Sequence, residues 1–224
     1  MKKIVVLSGA GISAESGIKT FREMGGLWEE YDVMDVASID GWHKNPKLVL
    51  DFYNKRRSEL QTAEPNNGHR ELANLELFYD VTIITQNVDN LHEKAGSTKI
   101  LHLHGELTKI ESSVDKNYII DIGYKNNKLG DLCPKGFQLR PHIVWFGEAV
   151  PLINEAIEIT KTADVFIVVG TSMQVYPAAS LINFVPAKCP IYLVDPNPTI
   201  LSNSKITVIK EPASTGITKV VELI

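Results

Sequence analysis

Short runs dense in isoleucine and valine recur along the chain at residues 4–7, 81–85, 143–145, 165–169, 191–194 and 206–209. Runs of this length without polar alternation predict strands buried on both faces, as in a parallel sheet. Between them the apolar spacing changes to three and four. Residues 66–78 carry Leu72, Leu75 and Phe78, and residues 152–162 carry Ile153, Ile157 and Thr160, while 176–184 and 214–223 are further helical candidates. Strand and helix in alternation predict an α/β fold built on a doubly wound sheet.

Two stretches break the alternation. Residues 23–63 hold no strand pattern, only a Trp-containing acidic connection and a helix that starts near Asn45-Pro46, where Asn caps well and Pro is tolerated in the first turn. Residues 108–139 hold a weak hairpin-like pattern at 118–122, then Asn126-Asn127, Gly130 and Gly136. Together these stretches predict a smaller, discontinuous second domain, leaving 1–22, 64–107 and 140–224 for the large one.

Composition narrows the function classes. Apolar residues make up 44% and charged ones 22% of 224 residues, which is globular and excludes disorder as the main state. The net charge is −4 and no basic run exceeds a Lys or Arg pair, so no nucleic-acid partner is expected. No apolar run approaches the roughly 20 residues of a membrane helix, and Met1-Lys2-Lys3 leads straight into a strand, so a cytoplasmic protein with no membrane partner is expected. Cys133 and Cys189 cannot build a disulfide framework and suit a reducing compartment.

The candidate chemistry lies at strand ends. The first strand runs into Ser8-Gly9-Ala10-Gly11-Ile12-Ser13-Ala14, whose glycines fit a dinucleotide fingerprint in which missing side chains let backbone N–H groups approach a pyrophosphate; a plain tight turn fits equally well. A hydride-transferring enzyme would need an acidic residue closing a second strand about 20 residues on, and Glu29, Glu30 and Asp32 lie in a stretch without strand character. The next strand closes with Gln86, Asn87 and Asp89, either a ligand-binding edge or an Asx turn capping a helix. Leu101-His102-Leu103-His104-Gly105 alternates, which would put both histidines on one strand face. Either could be structural, although imidazole is the side chain best suited to proton transfer near neutrality. Gly170-Thr171-Ser172 closes another strand with small residues.

Taken jointly, Gly9-Ala10-Gly11-Ile12-Ser13 with Phe21-Arg22, Gln86-Asn87-Val88-Asp89, His104-Gly105, the segment from Arg140 through Trp145-Phe146-Gly147-Glu148, and Gly170-Thr171-Ser172 with Tyr176-Pro177 closely resemble the sirtuins, NAD-dependent protein lysine deacylases. The resemblance covers almost the whole chain, in order. It implies a Rossmann-like large domain, a small domain and an NAD site between them. It assigns Gly9, Ala10, Gly11, Ile12 and Ser13 to pyrophosphate, Phe21 and Arg22 to the nicotinamide end, and Gln86, Asn87 and Asp89 to nicotinamide and its ribose. Gly170, Thr171, Ser172, Asp195, Asn197 and Ala213 fall on the adenosine side. It makes His104 the general base, with Asn87 beside it, and lets Val144, Phe146, Gly147 and Glu148 pair with an extended peptide carrying the acylated lysine. The implied products are nicotinamide, free lysine and O-acyl-ADP-ribose.

Tyr53 and Arg56 sit three apart on the helix after Pro46, adjacent on one face. Arg56 could simply snorkel along the edge of the apolar stripe, with Arg57 showing that basic residues are tolerated there. Tyr-x-x-Arg at this place is, however, similar to the class III sirtuins that prefer acyl chains ending in a carboxylate, such as succinyl or malonyl, and an Arg fork with a phenol is a sensible carboxylate receptor. The chain departs from the family where four cysteines usually hold a structural zinc: the segment offers Glu111-Ser112-Ser113 and Cys133 alone. No metal is therefore expected, and the small domain should rest on Tyr118, Ile119, Ile122, Tyr124, Leu129 and Leu132. Asp195 stands where the family more often has Asn. A protein ADP-ribosyltransferase and a catalytically silent NAD- or ADP-ribose-binding module are the rival readings.

Overall fold

The computed structural model describes residues 1–19, 31–198 and 205–224. The strands β1 (Lys3–Ser8), β2 (Asp80–Thr85), β3 (Ile100–His102), β7 (Val165–Val169), β8 (Ile191–Val194) and β9 (Ile206–Ile209) form a six-stranded sheet in the order β3-β2-β1-β7-β8-β9. All its pairings are parallel. Strand periodicity sends Ile4, Val6, Ile83, Ile167 and Val169 to one face, against Leu72 and the pair Ile217 and Val220. The intervening Val5, Leu7, Ile84, Phe166 and Val168 go to the other face, against Ala156 and Leu181. Burial on both faces is why these strands read as continuous apolar runs.

Helices α1 (Ala10–Ala14), α5 (Asn67–Asn74), α6 (Leu91–Ala95), α7 (Ile153–Thr160) and α8 (Ala213–Val221) belong to this layered body, with 3-10 turns at Leu75–Leu77 and Ala178–Phe184. The segment predicted helical at 176–184 is therefore the tighter helix type. Helices α2 (Val33–Val36), α3 (Ile39–Lys44) and α4 (Pro46–Thr62) form the helical insertion. As expected from Asn45-Pro46, the Asn45 side chain accepts from Leu48 N–H at 3.1 Å and Pro46 opens the helix. One face of α4 (Val49, Leu50, Phe52, Tyr53 and Leu60) packs with Trp42, Leu91, Leu107, Ile143 and Trp145.

A second sheet, β5 (Ile119–Asp121), β4 (Gly105–Ser112) and β6 (Leu139–Ile143), is antiparallel. It corrects the reading of residues 143–145 as part of the parallel sheet: the strand there is β6, and the chain has left it by Trp145. The small core also differs from expectation. Ile110, Cys133 and Leu139 are its buried centre, with Tyr118, Ile120 and Ile122 at the edge. Ile119, Leu129 and Leu132 are 44%, 59% and 56% exposed, and Tyr124 packs instead against the α4 cluster. Pairing of β5 with β4 turns Ile120 inward, so its neighbour Ile119 must face out. Among the described residues no helix is long and apolar enough to cross a membrane.

Candidate active site

The parallel sheet reverses its winding direction between β1 and β7, and the crevice beyond the carboxyl ends at such a switch is where open α/β sheets bind ligands. The turns after these two strands are in direct contact. Gly9 N–H donates to Val169 O at 3.0 Å and Gly11 N–H to Gly170 O at 2.8 Å. A Cβ on Gly170, whose φ is +62°, would lie 2.2 Å from Ile12 N, and one on Gly11 would lie 2.8 Å from Gly170 Cα. This alters the expected reason for the glycines. The N–H groups of Gly9 and Gly11 are spent inside the protein, and the missing side chains let two turns close on each other. Asn66, at the start of the helix expected over 66–78, also fastens this loop: its Nδ2 donates to Ile12 O at 2.7 Å and to Ser16 Oγ at 3.0 Å, while its Oδ1 caps α5 at Gly68 N–H.

The loop after β2 enters the same crevice. Asn87 Nδ2 donates to Gly9 O and to Ser13 Oγ, both at 3.1 Å, and Ser13 Oγ donates to Asp89 Oδ2 at 2.9 Å. Asp89 also accepts from Leu91 N–H at 3.1 Å, which bears out the Asx turn ahead of α6. Burial pushes its carboxyl pKa up, against the two hydrogen bonds and the positive charges of His102 and Arg56. Gln86 Nε2 donates to Thr171 Oγ1 at 3.2 Å, which ties this loop to the turn after β7. Gly170 and Thr171 follow β7, Ser172 is half-buried beside them, and Asp195 follows β8, accepting from Asn197 N–H at 2.8 Å. Ala213 opens α8, buried against Gly68. The carboxyl edge of the sheet thus gathers the residues assigned to the dinucleotide. Phe21 and Arg22 lie outside the described residues.

The two histidines do not share a strand face. β3 ends at His102 and the chain turns through Leu103 and His104 into β4. His104 Nδ1 lies 3.0 Å from Gln86 O. A carbonyl can only accept, so Nδ1 carries the proton and Nε2 is left with its lone pair. Burial holds the His104 pKa below the usual 6.5, partly countered by the Gln86 carbonyl, and keeps the ring neutral. His102 has the opposite surroundings: Nδ1 meets Asn87 O at 3.1 Å and Nε2 meets Glu93 Oε1 at 2.7 Å. Burial opposes its charge, but Glu93 prevails and the pKa is raised. Only His104 therefore offers a basic nitrogen.

On α4, Tyr53 and Arg56 are both buried, at 4% and 8% exposure. Trp145 Nε1–H donates to Tyr53 Oη at 2.9 Å, and burial pushes the phenol up to about 12, so it stays a neutral donor. Arg56 does not snorkel. It lines a small internal cavity with Asp89, Val88, Ile18 and Leu107, where burial lowers its pKa and Tyr53, Glu59 and Asp89 favour its charge. Arg57 is not a tolerated surface base either: fully buried, it donates from Nε to Leu107 O at 2.7 Å and from Nη1 to Asn54 Oδ1 at 2.6 Å, bracing α4 on β4.

The segment expected to pair with a peptide is partly committed elsewhere. Val144 N–H bonds His104 O, and the N–H and C=O of Phe146 bond Ala37 and Ile39. The Glu148 side chain is structural: it receives both terminal nitrogens of Arg140 at 2.8 Å and Trp145 N–H at 3.0 Å. Those bonds hold its carboxyl down to about 2 despite burial. Phe146 and Gly147 remain exposed at the surface, as does Tyr176.

In the segment where a zinc would sit, the Cys133 thiol meets Ser112, and Cys189 lies in the core of the large sheet. Among the described residues Glu93, His102 and Glu106 bring three possible ligand atoms within 4.8 Å, but His102 and Glu93 already form an ion pair and Glu106 holds Lys109. A larger cavity, about 310 Å³, opens at the opposite, amino-terminal strand ends beside Lys3, Asp80 and Lys99.

Residues 9–177 match the family model described as Sir2 family. The chain is 51% identical over 230 residues to an NAD-dependent protein deacylase of Bacteroides thetaiotaomicron, covering 100% of this chain and 98% of that protein. It is 59% identical over 196 residues to one from Helicobacter pylori, covering 88% and 85%. Among solved structures, an ADP-ribose complex of a mutant Sir2 homologue superposes with a TM-score of 0.91 at 36% identity, covering 99% of this chain and 91% of that one. A Sir2 homologue in complex with NAD gives 0.89 at 37% identity, covering 99% and 89%.

Proposed function

The chain belongs to the Sir2 family and is an NAD-dependent protein deacylase, and from that premise we propose that His104 is its general base, that acylated lysines of proteins are its substrates, and that its preferred acyl groups end in a carboxylate. The observation that carries this reading is the half-buried, neutral His104 imidazole, whose Nδ1 proton is fixed on Gln86 O and whose Nε2 lone pair is available.

The residues at the crevice suit the cofactor. A carboxylate at Asp89, an amide at Asn87, a hydroxyl at Ser13 and a second carboxylate at Asp195 lie along one sheet edge, the donor and acceptor set a ribose and a carboxamide require. When bound, NAD would supply an activated ADP-ribosyl group, with nicotinamide as the leaving group that the acyl oxygen replaces. Gly9, Ala10, Gly11, Ile12 and Ser13 would line the pyrophosphate. Phe21, Arg22, Gln86, Asn87 and Asp89 would hold the nicotinamide end, and Gly170, Thr171, Ser172, Asp195, Asn197 and Ala213 the adenosine. His104 Nε2 takes up the proton released from a ribose hydroxyl. Val144, Phe146 and Gly147 flank the peptide, with Glu148 holding their turn in shape through Arg140. Residues 1–22, 64–107 and 140–224 are assigned to the cofactor-binding domain and 23–63 with 108–139 to the small one, with β4 and β6 running across the two boundaries and the core around α4 joining the parts. The free cysteines and the net charge of −4 suit a cytoplasmic enzyme without a nucleic-acid partner.

Tyr53 and Arg56 supply the acyl preference. A buried guanidinium and a neutral phenol on one helix face present charge-assisted and neutral donors to a carboxylate. Bonds to a charged group contribute about 1.5–3 kcal/mol, or roughly 10- to 150-fold in rate over an uncharged acyl chain. Initial rates with NAD and matched succinyl-, acetyl- and unmodified-lysine peptides test this. The parent enzyme should favour succinyl, and Arg56→Met should remove the preference while deacetylation continues. An unchanged succinyl-to-acetyl ratio in Arg56→Met overturns the acyl assignment, and nicotinamide release without acyl peptide overturns deacylation.

A further inference from the structure

We infer that His102 is a positioning residue for the deacylation site, held as an imidazolium by Glu93 so that it fixes the Asn87 peptide; this rests on the reading of Asn87 as part of that site.

Register between β2 and β3 pairs Thr85 with His102, which brings the imidazole beneath the loop that follows Thr85. Both ring nitrogens face groups that can only accept, the Asn87 carbonyl at 3.1 Å and the Glu93 carboxylate at 2.7 Å. The ring satisfies both only when it carries two protons. Deprotonation at Nε2 would set a lone pair against the Glu93 carboxylate, with Glu106 on β4 adding negative charge nearby. The other groups around it are Asp89, which its charge helps keep ionised, and His92 on α6, which that charge helps keep neutral.

The consequence reaches the site through the backbone. His104 grips the carbonyl of Gln86 at 3.0 Å and His102 grips the next one, Asn87, so two consecutive carbonyls are clamped by two histidines. With both carbonyls fixed, the Asn87 side chain is aimed at Gly9 O and Ser13 Oγ, and Ser13 at Asp89. His104 and His102 thus divide the work: the neutral ring moves a proton, and the charged one keeps the loop in register. An error of about 1 Å in a positioning group costs on the order of 10²-fold in rate.

The test uses the full-length enzyme with saturating acyl peptide and varied NAD. His102→Leu should lower kcat by about 10- to 100-fold, with a smaller rise in KM for NAD. His102→Asn keeps a donor for the Asn87 carbonyl and should recover most of the loss. Nitrogen-15 NMR of the histidine rings at pH 7.5 should show both His102 nitrogens protonated in the parent, and a neutral ring in Glu93→Gln. A parent ring carrying one proton, or a folded His102→Leu enzyme with unchanged kcat, overturns the proposal, and so does a loss that His102→Asn fails to recover. Should His102→Leu not fold, the NMR comparison decides by itself. Asn87→Ala separates the two readings. If it leaves turnover intact, the assignment of Asn87 fails and the proposal falls with it; if it abolishes turnover while His102→Leu does not, only the role of His102 fails.

Discussion

His104 is suited to act as a base because a single backbone carbonyl settles its tautomer. With Nδ1–H committed to Gln86 O, the second nitrogen keeps its lone pair, and burial disfavours the imidazolium, so protonation requires a pH below the ordinary 6.5. The acid limb of kcat/KM should therefore fall below pH 6.5, and a limb at or above that value would contradict the assigned environment. If His104 is the base proposed, replacing the ring removes a positioned group worth about 10²- to 10⁴-fold. His104→Tyr should lose that much turnover in a peptide deacylation assay while its melting temperature stays near the parent's, because the site is only half-buried. Arg56 and Arg57 show how little a residue type says alone. Adjacent in sequence and both buried, one lines a cavity beside Asp89 and the other braces α4 on the Leu107 carbonyl.

Between elements, the small sheet is bound to α4 by buried polar contacts. Glu148 takes both terminal nitrogens of Arg140, the Arg140 guanidinium lies 3.5 Å from the centre of the Trp145 ring, and Trp145 donates to Tyr53 on α4. The shape of the turn at residues 145–148 thus depends chiefly on the Arg140–Glu148 pair. Glu148→Gln takes from Arg140, 1% exposed, its two-pronged carboxylate partner and leaves it only the longer contact with Glu111 at 3.5 Å. Breaking a buried pair from one side costs about 3–5 kcal/mol, and the 18% exposure of the Glu148 side chain places this case toward the lower end. Urea unfolding should register the loss as a lower midpoint at unchanged slope. A change under about 1 kcal/mol would show that solvent screens the pair.

For the whole molecule, acid stability turns on histidines buried neutral between α5 and α6. The His69 and His92 rings lie 5.0 Å apart, and His92 Nε2 bonds Ser8 Oγ, which itself donates to Thr85. Burial, with Arg70 assisting, lowers His69 to about 4 from 6.5, and lowers His92 as well. A depressed folded pKa means the unfolded chain takes up protons first, so stability is full above about pH 6.5 and declines as pH falls toward 4. His69 alone accounts for a decline on the order of 3 kcal/mol. His102, raised instead, stabilises below 6.5 and loses its contribution as pH rises through its folded value. Denaturant melts at pH 7.5 and pH 5 should show a clear loss at the lower pH, and equal midpoints would mean that these rings are not held neutral.

The sequence by itself determined most of the parallel sheet, because a strand covered on both faces carries mainly apolar side chains, and the helix after Asn45-Pro46, because a cap is a local bond. It also located the glycine turns and the polar strand ends that meet at the carboxyl edge of the sheet. Of the antiparallel sheet it showed only the hairpin-like stretch at 118–122 that holds β5; the pairing with β4 and the exposure of Ile119, Leu129 and Leu132 escaped it, since β5 is half in water and its register depends on β4. Tertiary structure alone decided how the two histidines are held. Two residues apart in one motif, they differ only in what the fold brings to them, a carbonyl for His104 and a carbonyl plus the Glu93 carboxylate for His102. Tautomer and charge are fixed by burial and by partners across space, and neither is written in the spacing of residues along the chain.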